Sequence, residues 1–292
     1  MSESLIETRR RIQTIQSTEK ITKAMKLVAS VKFQKFKRQF EQSIGYADEM
    51  EKTMFTTLNN IDLSKTEFSQ YLTSFDMKRK LYVVVTSSLG LCGAYNYNIF
   101  RMLDPLLKDG DEIVTIGQKG FIHYHESSYL VHDGYTSLLD NFDYDNVRAM
   151  RHFLFRQYRE EKYQSIQLVY THYKNSMSFI PTIEEIAPLP IESIQKKYQN
   201  DLSYPPLFEP DANEVAELIL PHYVDSQLYI RIMESQLSEH ASRRNAMETA
   251  TDNADDILSS LKIEYNKARQ NAITQEITEV VDGANSGKDD ND

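Results

Sequence analysis

The chain has 292 residues, of which 26% are charged, and its formal net charge is −10. Its single cysteine excludes a disulfide framework and a cysteine-based zinc site, and it fits a reducing compartment. No apolar run approaches the roughly 18 residues of a membrane span, and neither a signal peptide nor a transit peptide is visible, so we expect a soluble, cytoplasmic chain.

Glycine and proline are unevenly distributed along the chain. Residues 1–89 contain no proline and a single glycine, and residues 222–282 contain neither, whereas all eight prolines lie between positions 105 and 221. Because both residue types interrupt helices, the chain is predicted to form a helix, a punctuated middle region and a second helix.

The N-terminal segment, residues 1–58, carries apolar residues at a helical period of about 3.7. This stripe consists of Met25, Ala29, Phe33, Phe36, Phe40, Ile44, Ala47, Met50, Met54 and Leu58. At about 1.5 Å per residue the helix would be about 84 Å long, so we expect it to extend beyond a small globular body.

The C-terminal segment, residues 210–283, repeats this pattern. Its stripe consists of Ala250, Ala254, Ile257, Leu261, Tyr265, Ala268 and Ala272. Asp211 is the predicted N-cap, with Glu214 completing a capping box, and Pro221 is expected to kink the helix or to end a first short helix. Residues 284–292 are predicted to form a disordered tail.

The two helical segments carry opposite charge. From Arg9 to Arg38 there are ten basic residues and one acid, and from Glu209 to Asp292 there are 18 acids and seven basic residues. Since neither apolar stripe can remain in water, we expect the helices to pair, antiparallel because the middle region connects them. The longer C-terminal helix should then project, and its apolar tip requires another chain around it. The tip residues are Ile273, Ile277, Val280 and Val281.

The middle region, residues 77–190, alternates between strand-like and helical patterns. Strands are predicted at Lys80–Ser87, Glu112–Gly117 and Ser165–Tyr173, with an edge strand at Phe179–Leu189. The intervening helices are predicted at Tyr97–Lys108, Lys119–Glu126 and Asp143–Tyr163.

This alternation predicts βαβ units. The predicted fold is therefore α plus α/β: a long antiparallel coiled coil of the N- and C-terminal helices with an inserted Rossmann-like α/β domain. Residues 191–209 are predicted to be the linker from this domain to the C-terminal helix.

Motifs for catalysis are absent from the sequence. There is no Walker A run, and only Gly90-Leu91-Cys92-Gly93 follows the first strand, where a dinucleotide site needs G-x-G-x-x-G. We interpret Cys92 as a buried thiol. His123, His125 and His132 could hold a metal if the first two lay on a strand, but no carboxylate or cysteine framework accompanies them. We predict no catalytic residue, cofactor or metal.

The basic N-terminal run has three interpretations. It is a solvated helix face, a surface for nucleic acid or anionic membrane, or an electrostatic match to an acidic protein partner and to the acidic C-terminal helix. The net charge of −10 weighs against nucleic acid but does not exclude a local patch. The run consists of Arg9, Arg10, Arg11, Lys20, Lys23, Lys26, Lys32, Lys35, Lys37 and Arg38.

Four stretches carry a resemblance to a known family. They are Lys20–Ser30 (KITKAMKLVAS), Gly90–Asn96 (GLCGAYN), Ala250–Ala254 (ATDNA) and Glu264–Glu279 (EYNKARQNAITQEITE). In these stretches the chain resembles the gamma subunit of rotary F-type ATP synthases. The match touches both ends of the chain and the first strand and loop of the middle region.

The resemblance implies a non-catalytic rotor shaft on the cytoplasmic side of a bacterial cell membrane, held there through its complex. The helix pair would lie inside the hexamer of alpha and beta subunits. The α/β domain would contact the epsilon subunit and the membrane ring of c subunits. Hydrogen ion flow through that ring would turn the shaft and drive the beta-subunit catalytic sites through their conformations. No nucleic acid is implied.

The resemblance also implies a small set of coupling residues. By position, Arg269, Gln270 and Thr274 correspond to the family's catch with a beta-subunit loop, and Glu276 belongs to the same network. A catch made of a few hydrogen bonds suits a shaft that must release at every step.

Four further positions are implied to take part in coupling. Met25 and Arg243 correspond to positions that the family links to coupling efficiency, and Lys20 and Lys23 are expected to face acidic beta-subunit residues.

The chain departs from the family pattern before the Gly-Leu-Cys-Gly loop. The family has Ser-Asp-Arg there, whereas this chain has Ser87-Ser88-Leu89, which leaves open what the loop does in epsilon contact or domain stability. Three alternatives to a standard rotor therefore stay open. They are a divergent motor driven by hydrolysis, a basic coiled-coil arm that binds nucleic acid or anionic membrane, and an enzyme that uses the α/β domain.

Overall fold

Long helices form both ends of the chain and a mixed sheet forms its middle. The structure is a computed structural model and describes residues 2–61, 72, 75–160, 162–198 and 207–286. The elements in chain order are α1 (Ser2–Leu58), β1 (Lys80–Val85), α2 (Tyr95–Leu103), β2 (Glu112–Ile116), α3 (Gln118–Tyr124), β3 (Leu130–His132), α4 (Tyr144–Arg159), β4 (Ser165–Asn175), β5 (Ser178–Ala187), α5 (Ile191–Tyr198) and α6 (Ala212–Ser286).

Two compact units divide these elements. The helix-pair unit combines the residues up to Val28 with those from Arg244 onward, and the sheet unit comprises Ala29–Arg243. Helices α1 and α6 each contribute one part to either unit.

The sheet has five strands in the order β3-β2-β1-β4-β5. The first four are parallel, and β5 is an antiparallel edge strand paired with β4. Val83 lies beside Val114 on one side and Leu168 on the other. Continuous apolar runs such as KLYVVV are typical of parallel strands that are covered on both faces, which confirms the predicted α/β domain.

Both faces of the sheet are buried. Leu81, Val83 and Val85 point into the larger core, which also receives side chains from α1, α4 and α6. Tyr82 and Val84 point into the smaller core on the opposite face, beneath α2. This alternation follows from the two-residue period of a strand.

Helices α1 and α6 are antiparallel in the sheet unit. Phe33 packs with Leu237 and Ala241, and the Phe36 ring stacks on His240 at a centroid distance of 5.2 Å. Farther along α1, Tyr46 and Ala47 line a cavity with Ser226 and Ile230 of α6, so the position in α1 rises as the position in α6 falls.

The helix-pair unit has the same antiparallel order. Lys26 Nζ lies 2.7 Å from Glu248 Oε1, and Thr251 Oγ1 donates to Thr22 Oγ1 over 2.8 Å. Farther along α6, Lys23 lies 3.9 Å from Asp255. The predicted pairing of a basic helix with an acidic helix is confirmed within this unit.

The start of α6 agrees with the sequence, and of the two effects expected of Pro221 the ending of a first short helix does not occur. Asp211 Oδ1 accepts hydrogen bonds from the backbone N–H groups of Asn213 and Glu214, as predicted for an N-cap. The helix does not end at Pro221 but runs through it. Leu220 and Tyr223 beside the proline are buried in the larger core, and this packing offsets the lost helix hydrogen bond.

Other predicted details need correction. Strand β3 was not predicted, and part of the predicted linker 191–209 forms helix α5, while 199–206 lie outside the described residues. Of the predicted tail, 284–286 belong to α6 and the remaining residues lie outside the description. Ile44 and Ile257 are exposed, because helical drift carries each past its buried neighbours.

Gly117 lies between β2 and α3, and a substitution there tests how closely the backbone packs at this point. Its φ is +88°, and a Cβ there would lie 2.1 Å from the backbone oxygen of Thr86. We expect Gly117→Ala to lower the free energy of unfolding by about 3 kcal/mol or more, because strain and overlap add. Urea unfolding followed by circular dichroism measures the change.

Gly45→Ala is the matched control, since nothing lies within 4 Å of a Cβ at Gly45 in helix α1. It should raise the free energy of unfolding by about 0.5–1 kcal/mol. Equal effects of the two substitutions would contradict the assignment of strain to Gly117.

Candidate functional site

The far end of α6 is uncovered in the helix-pair unit. Every side chain from Ile273 to Val281 is exposed, with Ile277 at 59% and Val280 at 72%. Nearer the sheet unit in sequence, Ala254, Leu258 and Leu261 are buried against α1. The pairing thus ends before α6 does, and it leaves an apolar tip in water as the sequence predicts.

The four predicted catch residues lie on this end of α6. Arg269, Gln270, Thr274 and Glu276 are all exposed. Thr274 Oγ1 donates to the backbone oxygen of Gln270 over 3.0 Å. At 100° per residue, Gln270 and Thr274 share one side of the helix, and Arg269 and Glu276 share another.

Three of these side chains have donors or acceptors to spare. Within the described part of the chain, Arg269, Gln270 and Glu276 make no side-chain hydrogen bond or ion pair. Their polar groups are therefore open to an external partner.

The predicted residues of α1 differ from one another. Lys20 is exposed, and Lys23 is exposed but bonded to Glu19, which raises the pKa of Lys23 through that hydrogen bond. The same bond lowers the pKa of Glu19. Met25 is half-buried beside the seam between the helices. Lys20 is thus better placed than Lys23 to meet an acidic partner.

Arg243 is buried within the sheet unit, where it is only 8% exposed. Its Nη2 donates to the backbone oxygens of Leu89, over 2.9 Å, and Gly90, over 3.3 Å, and its Nη1 pairs with Glu239. The side chain therefore joins α6 to the loop that follows β1.

Burial sets the charge state of the neighbours of Arg243. It raises the pKa of Glu239, and the guanidinium opposes that rise. Burial, together with the nearby positive charge, lowers the pKa of His240 to about 3. His240 is therefore neutral near pH 7 and stacks on Phe36 as a ring without charge.

The loop from Ser87 to Asn96 is ordered by its own hydrogen bonds. Ser87 Oγ donates to the backbone oxygen of Leu89 over 2.7 Å, and Asn96 Oδ1 accepts from the Ser87 N–H over 3.0 Å. We call the bonds from Arg243 to Leu89, Gly90 and Glu239 the Arg243 clamp. Because Arg243 binds the main-chain oxygens of the loop, the clamp forms although Ser88-Leu89 stand where the family pattern has an acid–base pair. Cys92 is buried, and burial raises its pKa, as predicted for an inert thiol.

A row of serines that was not predicted fastens α6 to the sheet unit. Ser235 Oγ accepts from the Thr171 N–H over 3.0 Å and contacts the Tyr95 hydroxyl at 2.7 Å. Ser238 donates to the Thr171 oxygen and Ser242 to the Cys92 oxygen. The i, i+3, i+7 spacing of small polar residues was the available signal.

The histidines do not form a metal site in the structure. His123 and His125 belong to helix α3 and its C-cap rather than to a strand, and His123 stacks on Phe100 at 3.9 Å. Among the residues that the structure describes, no group of three His, Cys, Asp or Glu side chains could hold a metal ion. None of the described helices is long and apolar enough to cross a membrane.

Comparison with known proteins decides the family. The ATP synthase family model matches residues 4–286. The ATP synthase gamma chain of Mycoplasma mobile is 37% identical over 282 residues, which cover 94% of this chain and 96% of that one. The chain belongs to the ATP synthase gamma chain family. The gamma chain of Lachnoclostridium phytofermentans is 33% identical, with 97% and 99% of the two chains covered.

Solved structures agree with this membership. A chain of the Tetrahymena thermophila mitochondrial ATP synthase central stalk and c-ring is 25% identical, with a TM-score of 0.56 over 79% of this chain and 99% of that one. A Euglena gracilis mitochondrial ATP synthase chain matches in fold alone, with 17% identity and a TM-score of 0.63 over 98% and 95% of the two chains.

These matches confirm the predicted family and fold. The chain is a central-stalk subunit of an F-type ATP synthase, and it is therefore a subunit of an enzyme complex.

The Arg243 clamp generates a stability prediction. Arg243→Met leaves Glu239 buried without its cation, which should cost about 3–5 kcal/mol of unfolding free energy at pH 7. Because burial then raises the pKa of Glu239 further, the unfolded state loses its proton first as pH rises. The stability of this variant should therefore fall as the pH rises above about 4, the pKa range of the unfolded carboxyl. Urea unfolding at a series of pH values measures it.

The double variant Arg243→Met with Glu239→Gln provides the control. It has no buried carboxylate at this site, so it should be more stable than Arg243→Met at pH 7 and should lack the added pH dependence. Parallel pH profiles for the two variants would refute the clamp.

Proposed function

We propose that this chain is the non-catalytic rotor shaft of its ATP synthase. In this role it couples hydrogen ion flow through a membrane ring to the conformational cycle of the beta-subunit catalytic sites. The observation that carries the proposal is the antiparallel helix pair whose longer member ends in the uncovered side chains Ile273–Val281. Such an end is built to be enclosed by other chains.

The seam of the helix-pair unit suits the transmission of torque. Ala254 allows close approach, Leu258 and Leu261 fill the space between the helices, and the bond between Thr22 and Thr251 satisfies the buried hydroxyls. Side chains packed at crystal-like density resist sliding. A shaft of this kind deforms little under load.

The partners that we propose follow from the family. They are the hexamer of alpha and beta subunits around the helix pair, and the epsilon subunit and c-ring at the sheet unit. The solved relatives come from a central stalk with its c-ring and from an assembly that contains F1 and the c-ring. Because relatives such as the gamma chain of Mycoplasma mobile are bacterial, we propose that the chain lies on the cytoplasmic side of the cell membrane, bound there through its complex.

Arg269, Gln270, Thr274 and Glu276 are proposed to form the catch with the beta subunit. Their exposure and the spare hydrogen-bonding groups of three of them support this role. A few bonds of this kind hold the shaft at a dwell and still break at every step.

The remaining coupling residues are proposed to act in different ways. Lys20 and Lys23 would face acidic beta-subunit residues from the surface of α1. Met25 would set the fit of the helix seam, and Arg243 would hold the loop after β1 against α6.

Reconstitution tests the shaft itself. The full chain, mixed with alpha and beta subunits of the same organism, should form a complex with three alpha, three beta and one gamma in native mass spectrometry. A chain truncated after Ala272 should form less of it, because it lacks the uncovered tip. Retention of the truncated chain at the full-length level would contradict the proposed enclosure of the tip.

The catch is tested by ATP turnover of the assembled complex. Arg269→Ala and Gln270→Ala should each lower turnover roughly two- to tenfold, the effect of one lost hydrogen bond. The unfolding midpoint of the isolated chain should not move, since both side chains are exposed.

Lys262→Ala is the matched control because Lys262 is exposed on the same helix about two turns earlier. It should leave turnover unchanged. Wild-type turnover in both Arg269→Ala and Gln270→Ala would remove these residues from the catch.

A further inference from the structure

A cationic pocket of about 270 Å³ lies in the sheet unit, where β1 and β4 begin. It is far in sequence from all of the predicted coupling residues. Its walls are formed by Lys78, Lys80, Tyr82, Leu106, Lys108, Asp111, Gln164, Gln167 and Ile183.

The pocket holds more hydrogen-bond donors than acceptors. Three lysines line it, and no described carboxylate lies within 4.0 Å of their ammonium groups. The side chains of Tyr82 and Gln164 also line it and have no hydrogen-bond partner among the described residues. A pocket with such an excess of donors lacks an acceptor, and an anion would supply it.

The one carboxylate in the wall is already in use. Asp111 is 3% exposed, and its two oxygens accept the backbone N–H groups of Lys80, over 2.7 Å, and Lys108, over 2.9 Å. It therefore fixes the main chain of two of the lysines rather than pairing with their ammonium groups. Its single negative charge leaves the pocket with a net charge of about +2 at pH 7.

Of the neutral side chains in the wall, Tyr82 offers a free donor, whereas Gln167 already uses both of its Nε2 hydrogens. Burial, with the charge of Asp111, raises the pKa of Tyr82, so its hydroxyl stays protonated. Gln167 is held by Ser165 at 3.0 Å and by Glu185 at 2.7 Å, both through Nε2. Glu185 is thereby directed to Gln167 rather than to a lysine.

We propose that this pocket binds a phosphate-bearing anion. Three ammonium groups, a phenol and an amide match the several oxygens of a phosphate group better than the two of a carboxylate. Its volume is at the small end for ligand pockets, which fits a phosphate or a small phosphate ester rather than a dinucleotide. The inference does not rest on the proposed rotor function.

The test measures the binding of phosphate to the full chain. Inorganic phosphate is titrated by isothermal calorimetry at constant ionic strength, and glycerol phosphate is titrated in parallel. Sedimentation with phosphatidylglycerol vesicles, set against phosphatidylcholine vesicles, separates a lipid headgroup from a soluble ligand. Binding of a soluble phosphate assigns a soluble source, and binding to phosphatidylglycerol vesicles alone assigns a headgroup; either supports the site if the pocket variants lose it.

The pocket variants are Lys80→Gln and Lys108→Gln, alone and together. Each should weaken binding about tenfold, since each removes one charge-assisted hydrogen bond. Lys174→Gln is the matched control, because Lys174 is exposed on β4 but does not line the pocket. Unchanged unfolding midpoints would show that the variants fold.

Two results would overturn the proposal. One is the absence of binding for all of the phosphate probes. The other is an equal loss of binding in Lys174→Gln and the pocket variants, which would reduce the effect to net charge.

Discussion

Close approach of α6 to its neighbours is the constraint on which both units depend. In the sheet unit the approach is made by serines, whose hydroxyls bond the main chain of β4 and of the loop after β1. In the helix-pair unit it is made by Ala254 and by the bond between Thr22 and Thr251. Larger side chains at these positions would hold the backbones apart and open voids between the helices.

Arg243 and the serines of α6 bond to partners inside the fold, whereas the polar side chains near the end of α6 are exposed to water. Arg243 is the most buried cation among the predicted coupling residues, and every bond that it makes lies within the sheet unit. Leaving such a group without a partner would cost several kcal/mol, so its clamp is a permanent part of the fold. By contrast, Arg269 and Gln270 are in water, where making or breaking one bond changes the free energy by only about 1 kcal/mol. The chain thus has permanent polar contacts in the buried part of α6 and polar groups that can exchange partners near its exposed end.

The spacing of apolar residues along the sequence predicted most elements of the fold. The stripes from Met25 to Leu58 and from Ala250 to Ala272 predicted both long helices, and the apolar runs that start at Lys80, Glu112 and Ser165 predicted the parallel strands. Strand β3 was missed because its three residues are partly exposed and too short for a pattern. Pro221 does not end the helix, because the packing of the residues around it outweighs its low helix propensity.

The functional groups were predictable only where they lie in one stretch of sequence. Arg269 through Glu276 form such a stretch, and the resemblance could mark them. The Arg243 clamp joins positions 89, 90, 239 and 243, and the cationic pocket joins Lys78, Lys108 and Gln164, so both depend on the sheet topology. Spacing along a chain cannot reveal groups that only the pairing of β1 with β2 and β4 brings together.

The placement of charge gives these separate features a common physical basis. In the helix-pair unit Lys26 of α1 forms an ion pair with Glu248 of α6. Such pairs neutralise part of the positive charge of the basic run that could otherwise attract nucleic acid. Lys78, Lys80 and Lys108 find none within the described residues, although the chain carries ten more acids than basic residues. Lys78 and Lys108 are exposed and Lys80 is partly buried, so water screens part of the repulsion between these cations. An anion bound among the three lysines would remove the repulsion that remains.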